Sequence, residues 1–236
     1  MNQTQPKTEA VKQMFDDIAP TYDRLNHILS MSIDKIWRRR VVRIIRRLGA
    51  KQILDIATGT GDLAIAMAKR IEGSAICGID LSPEMLEVAR TKVSKIGLNK
   101  QITLREGNAE KLDIESQSVD AVTIAFGIRN FERKAEALKE LQRTLKHGGH
   151  LVILEFSNPT NPLIAWAYRL YSHKILPWVG GLISRNRSAY EYLPNSVDGF
   201  PNPDAFMEII ASAGFGNITR RSQSFGIAQI YIAEKL

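Results

Sequence analysis

The sequence predicts an α/β fold: a mostly parallel seven-stranded sheet, covered by helices, closed by a C-terminal antiparallel hairpin and carrying a helical cap. Three observations lead there. From residue 53 onward, apolar runs alternate with stretches of helical period, the signature of parallel strands joined by crossover helices. The first run ends in Leu54-Asp55-Ile56-Ala57-Thr58-Gly59-Thr60-Gly61-Asp62, a carboxylate and two glycines turning into an amphipathic helix, as at a ligand-binding strand–helix junction. Near the C-terminus the alternation breaks, and two extended runs, 218–221 and 227–233, are joined by a short turn through 224–226.

In chain order, residues 1–50 read as a helical cover. One helix there concentrates Lys35, Arg38, Arg39, Arg40, Arg43, Arg46 and Arg47, with an apolar stripe of Ile33, Ile36, Trp37, Val41, Ile44, Ile45 and Leu48 at three-to-four spacing. It is either a core-docked helix with a solvated basic face or a helix that meets anionic lipid headgroups. Strands are expected near 52–56, 75–79, 101–105, 120–125 and 150–155, and helices near 62–70, 83–96 and 133–145. Ser82 can cap the second of these helices, Pro83 suits its first turn, and Lys146-His147-Gly148-Gly149 stops the third. The insertion 157–204 is apolar and aromatic over 162–168 and 175–183 but is interrupted by Arg169, His173 and Lys174. It either packs on the sheet as a cap, walls a greasy pocket or dips into a bilayer. Residues 205–213 form a short helix ended by Gly214. One domain, 1–236, is expected: the cover 1–50, a core 51–156, the insertion 157–204, and the last helix and hairpin 205–236.

At 236 residues, with 44% hydrophobic and 24% charged residues, the composition is that of a globular protein. The net charge of +7 is concentrated in the basic helix. A nucleic-acid partner is not expected, because that helix has one aromatic residue and no accompanying zinc or RNA-binding signature. The one cysteine, Cys77, lies in an apolar run and has no partner for an internal disulfide. The N-terminus lacks a signal-peptide core and no apolar run reaches the length of a membrane span, so a cytoplasmic protein is expected.

The glycine turn fits two cofactor classes. Gly59-x-Gly61-x-x-Ala64, with Asp80 about 20 residues on, matches a dinucleotide fingerprint. Asp55 argues against a pyrophosphate, which its charge would repel, and for the cationic methionyl end of S-adenosylmethionine, with Asp80 accepting from both ribose hydroxyls. A purely structural turn is the third reading. Glu106-Gly107-Asn108-Ala109-Glu110 after the third strand would flank an adenine. Ala125-Phe126-Gly127-Ile128-Arg129-Asn130-Phe131 after the fourth puts an arginine and an amide at the sheet edge. No metal is expected, since His27, His147, His150 and His173 lack ligand spacing and no Asp or Glu pairs with them in sequence. Gly-x-Ser-x-Gly and Walker patterns are absent.

Four blocks then carry a resemblance: FDDIAPTYDRLN at 15–26, Phe126-Gly127-Ile128-Arg129-Asn130, Leu154-Glu155-Phe156-Ser157, and YEYLPNSV at 190–197. They resemble the ubiquinone/menaquinone biosynthesis methyltransferases over nearly the whole chain. The resemblance implies a Rossmann-like class I S-adenosylmethionine-dependent enzyme that methylates a ring carbon of a polyprenyl hydroquinone, the last methyl of menaquinone. A benzoquinol substrate on the ubiquinone branch is the alternative, and a nicotinamide oxidoreductase a more distant one. By motif position the cofactor contacts fall on Thr60, Asp80, Asn108 and Ala109, joined by Asp55, Gly59 and Gly61 from the turn. Two positions depart from the pattern: Ala57 stands where many methyltransferases have glycine, and Ala125 where some members have serine.

Carbon methylation needs an electron-rich ring, and a phenol of pKa near 10 must lose its proton. Arg129 can hold a phenolate by charge, while Tyr22, Asn26 and Asn130 orient the ring or a proton-carrying water. Asp23 and Glu155 are candidate bases. The expected partners are a polyprenyl quinol and the membrane surface, met peripherally, with room for a homodimer.

Overall fold

The computed structural model describes residues 7–175 and 187–236. Helices α1 (Lys7–Ile18), α2 (Tyr22–Leu29) and α3 (Ile33–Arg47) form the N-terminal cover. The sheet core follows as β1 (Gln52–Ile56), α4 (Asp62–Ala68), β2 (Ala75–Asp80), α5 (Pro83–Lys95), β3 (Ile102–Glu106), β4 (Val119–Ala125), α6 (Lys134–Thr144) and β5 (Leu145–Phe156). Then come α7 (Pro162–Leu170), α8 (Arg187–Asp198), α9 (Pro203–Ser212), β6 (Phe215–Gln223) and β7 (Ala228–Lys235). The seven strands lie in the order β3-β2-β1-β4-β5-β7-β6. All neighbours are parallel until β7, which runs antiparallel to both β5 and β6.

Alternation along the strands divides the core between two faces. Leu54, Ile56 and Ile124 pack with Leu138 and Leu141 of α6 and Phe206 and Ile210 of α9. Ile53 packs on the other face with Trp37, Val41 and Ile45 of α3 and Leu63 and Met67 of α4. The apolar stripe of α3 is thus core-docked, although Ile36 and Leu48 remain exposed. Arg38, expected on the solvated basic face, turns inward instead: it pairs with Asp34 and lies 5.7 Å above the Phe126 ring.

Ser82 caps α5 as the sequence predicts, its Oγ accepting from Met85 N; Asn161 likewise accepts from Leu163 N and Ile164 N, and Asn202 from Asp204 N and Ala205 N. Residues 146–149 do not simply end α6. They lie within β5, where the pairing with β4 jumps from Val119↔Leu145 to Ala121↔His150, and Gly148 takes the left-handed φ that such a bulge needs. The hairpin strands run longer than expected, to 215–223 and 228–235. Part of the predicted apolar run 175–183, including Trp178, lies outside the described residues.

Candidate active site

Strand order reverses between β1 and β4, and ligands of open α/β sheets bind beyond the carboxyl ends of the strands at such a point. Two loops meet there. The turn after β1 holds Ala57, Gly59 and Gly61 at φ +52°, +56° and +79°. The loop after β4 passes through Phe126 at φ +61° into a 3-10 turn at Ile128–Asn130.

A cavity of about 100 Å³ at this point is lined by Gly59, Asp80, Asn108, Ala109 and Asn130, with Val11 and Phe15 of α1 covering it. The Asp80 carboxylate accepts from Gly59 N at 2.7 Å and Ser82 N at 2.9 Å. Burial pushes its pKa up and those backbone donors pull it back. Among the described residues it forms no ion pair, and with the Leu81 backbone as a third donor the carboxylate still keeps acceptor capacity for a ligand. A Cβ at Gly59 would meet nothing within 4 Å, so the turn is open toward a ligand.

Three residues expected at the cofactor stand behind it. Asp55 lines neither cavity: it is buried and accepts from Thr58 Oγ1 at 2.7 Å and Thr123 Oγ1 at 2.6 Å. Desolvation raises its pKa to about 6, against the lowering by the two hydroxyls. It braces the turn from within the sheet, and the expected attraction to a methionyl group loses its geometric basis. Thr60 is buried too and donates to Asp23 Oδ1 at 2.5 Å. Gly61 serves packing, since a Cβ there would sit 3.2 Å from Ala89 Cβ on α5.

A larger cavity, about 330 Å³ and mostly apolar, shares Phe15, Tyr22 and Phe126 with the first. Tyr22, Asn26 and Arg129 line it, and Asn130 faces the smaller one. Arg129 is buried: its backbone N and Nη1 donate to Glu155 at 3.1 and 2.8 Å, its Nε donates to Ser196 Oγ at 3.2 Å, and the guanidinium lies 5.5 Å from the Phe156 ring centre. Its charge opposes the burial that raises the hydroxyl pKa of Tyr22, of Tyr192 and of Tyr168, the last to about 12. All three tyrosines line the cavity.

Neither candidate base reaches a cavity. Glu155 is wholly buried against Arg129, and Asp23 is paired with Lys92 at 2.6 Å.

The sequence reading missed Asp34 and Arg38, which line the larger cavity, and the partners of His27. His27 Nδ1 lies 3.0 Å from Asp34 and its Nε2 3.6 Å from Asp62, correcting the expectation that no acid pairs with a histidine. These three could hold a metal by geometry. Arg38, however, contacts both carboxylates, and Lys92 reaches Asp62 at 2.6 Å, so cations already occupy the cluster. No sequence signal marks the trio, because its members are 7 and 35 residues from His27 along the chain.

The smaller cavity fits S-adenosylmethionine by its donor set. Asp80 offers an acceptor for vicinal hydroxyls, and Asp80, Glu110 and Glu132 outnumber Lys12 on its wall, which suits a sulfonium and opposes a pyrophosphate.

Comparison with known proteins agrees. The sequence profile of the ubiE/COQ5 methyltransferase family matches residues 3–235. The chain is 42% identical over 229 residues to a demethylmenaquinone methyltransferase of Bacteroides fragilis, covering 97% of this chain and 94% of that one. It is 45% identical over 222 residues to the demethylmenaquinone methyltransferase of Thermus thermophilus, covering 94% and 100%. A ubiquinone/menaquinone biosynthesis C-methyltransferase of Geotalea daltonii is 45% identical over 97% of both chains. Among solved structures, a putative S-adenosylmethionine-dependent methyltransferase of Methanococcus maripaludis superimposes with a TM-score of 0.67 at 19% identity over 100% of this chain and 97% of that one. The cyclase SpnF does so with 0.72 at 16% over 98% and 97%; at such identity the likeness speaks for the fold alone.

Proposed function

Since the chain belongs to the ubiE/COQ5 methyltransferase family, we propose that it transfers a methyl group from S-adenosylmethionine to a ring carbon of a polyprenyl hydroquinone, demethylmenaquinol, yielding menaquinol. The observation that carries this reading is the mostly apolar cavity that adjoins the cofactor cavity across Phe15, Tyr22 and Phe126. A soluble polar acceptor would have no use for such a wall. The names of the relatives in Bacteroides and Thermus favour the menaquinone branch, and the Geotalea name keeps a benzoquinol as the second reading.

S-adenosylmethionine, when bound, supplies an electrophilic methyl and leaves as S-adenosylhomocysteine; Gly59, Asp80, Asn108 and Ala109 would hold it. Arg129 holds the ring oxygen as a phenolate, its charge undiminished by water in a buried site. Tyr22, kept protonated by burial, donates to the ring, and Asn26 and Asn130 orient the ring or a water. On activation the quinol gives one proton to that water, which passes it to solvent. After carbon–carbon bond formation the ring carbon releases its hydrogen as a proton and the oxygen takes one back, for a net release of one.

The quinol's prenyl tail supports a peripheral meeting with the membrane. Exposed apolar side chains surround the larger cavity: Met31 (75% exposed) lines it, Leu163 (73%) and Trp166 (65%) flank its lining residues Ile164 and Ala167, and Phe225 (81%) follows Ser224. Among the described residues no helix is long and apolar enough to cross a membrane.

The test is methyl transfer from labelled S-adenosylmethionine to demethylmenaquinol and, separately, to the demethylated benzoquinol. Label in the first product alone is expected. Label in neither would refute the reading.

A further inference from the structure

The block 190–197 marks the resemblance without any residue in it having a role. Two of its side chains, Tyr192 and Ser196, stand one helical turn apart on α8 and so share a face. Each reaches one member of the pair Arg129-Asn130. The Tyr192 hydroxyl donates to Asn130 Oδ1 at 3.1 Å. Ser196 Oγ accepts from Arg129 Nε at 3.2 Å and donates to Leu193 O at 2.7 Å.

These contacts add a hold from the cap to the one the sheet edge supplies. Glu155 grips Arg129 through the backbone N and Nη1. Nη1 also donates to Phe126 O, so the sheet side holds one end of the planar guanidinium, and the tether at Nε is the one that α8 adds from the opposite side. Asn130 is held by its backbone, N donating to Gly127 O at 3.0 Å, but its amide sits on a broad, nearly two-fold torsion. The Tyr192 bond selects one orientation: with Oδ1 accepting, Nδ2 is left with its donors, and no other contact among the described residues uses it. Tyr192 lines the larger cavity and Asn130 the smaller, so this one bond spans the two.

We propose that Tyr192 and Ser196 are positioning residues: α8 clamps Arg129 and Asn130 from the cap side and sets the orientation in which they meet the reacting ring. The proposal rests on the quinol reading above. It makes the cap helix part of the catalytic apparatus as well as a wall of the substrate cavity.

The test is Tyr192→Phe and Ser196→Ala, each alone and combined with Asn130→Ala or Arg129→Lys. Steady-state kinetics use a short-chain demethylmenaquinol, and calorimetry measures S-adenosylhomocysteine affinity. Tyr192→Phe should lower kcat about tenfold, the size of one lost hydrogen bond at the transition state, leaving the KM for quinol and the affinity for S-adenosylhomocysteine unchanged. In the Asn130→Ala background the same change should cost nothing further. Ser196→Ala should behave likewise against Arg129→Lys, and supplies the test should Tyr192→Phe fold poorly. A Tyr192→Phe enzyme with the parent's kcat, or a loss that persists in full without Asn130, overturns the clamp. An inactive parent would refute the quinol reading instead. The side-chain N–H signals of Asn130, assigned with Asn130→Ala, then decide the clamp without substrate: they should shift in Tyr192→Phe, and unmoved signals overturn it.

Discussion

A methyl group placed on Gly127 would lie 2.4 Å from the Cβ of Ala57. The cofactor turn and the Arg129 loop therefore touch where only one of them can carry a side chain. Ala57 carries it at φ +52°, a conformation that costs a non-glycine residue about 1–2 kcal/mol. Gly127→Ala should destabilise the protein by about 1–3 kcal/mol through overpacking. Adding Ala57→Gly should recover most of that loss. Urea unfolding of the single and double variants checks it, and a double variant no better than Gly127→Ala would deny the contact.

Asp80→Ala should weaken S-adenosylhomocysteine binding by about 1.5–3 kcal/mol, the range for hydrogen bonds to a charged group. The fold should persist, because Asp80 supports backbone only at the cavity edge, that of Gly59, Leu81 and Ser82. Calorimetry on the folded variant gives the answer, and parent-like affinity would exclude Asp80 as a ligand residue.

Asp55 should make the protein less stable as pH rises. Its pKa lies near 6 in the folded protein against 3.8 for the free group, so between about pH 4 and 6 the folded state holds the extra proton. Stability from this group is full below pH 4, declines through pH 6 and is level above, a loss of about 2–3 kcal/mol. Asp55→Asn should lack that slope while keeping S-adenosylhomocysteine affinity. Unfolding midpoints of parent and variant from pH 4 to 7.5 test both halves, and parallel curves would count against the shift.

Arg129→Lys should keep S-adenosylhomocysteine affinity and lose methyl transfer by about a hundredfold, the cost of one oxyanion donor. Lysine retains the charge but cannot hold Glu155 and Ser196 together while facing the ring. Equal turnover would remove Arg129 from the chemistry.

Anionic liposomes should sediment the protein at low salt and release part of it at high salt. Leu163→Ser with Trp166→Ser should lower binding at both salt levels, since it removes apolar insertion. Replacing Arg39, Arg43 and Arg46 with Gln should remove the salt-sensitive fraction, each basic residue being worth about 1 kcal/mol at such a surface. Parent-like sedimentation by both variants would leave α3 and α7 as ordinary solvated surfaces.

The sheet and the placement of Gly59 and Asp80 at its switch-point cavity were legible because their signals are local: the strand pattern, the glycine turn, and a carboxylate at the end of an apolar run. The roles of Asp55, Thr60 and Arg38 were not. Asp55 and Arg38 carry charge, which in a sequence suggests exposure or a ligand. Each of the three also has a partner far along the chain, Thr123, Asp23 and Asp62 at 68, 37 and 24 residues, and it is the fold that brings these up beside the near partners Thr58 of Asp55 and Asp34 of Arg38. Tyr192 and Ser196 stood in the block 190–197 without a role, because their partners too are far along the chain. A helix–helix or helix–turn contact across more than 60 residues leaves no periodicity to read.

The position of β7 between β5 and β6 bears on how this protein is made. A ribosome releases residues 145–156 well before residues 228–235, so β5 waits with a bare hydrogen-bonding edge, while β6, four residues ahead of β7, emerges almost with it. That open edge is where a nascent chain pairs wrongly with its neighbours. Substitutions that weaken the pairing of β7 with β5 should therefore lower soluble yield by leaving that edge open.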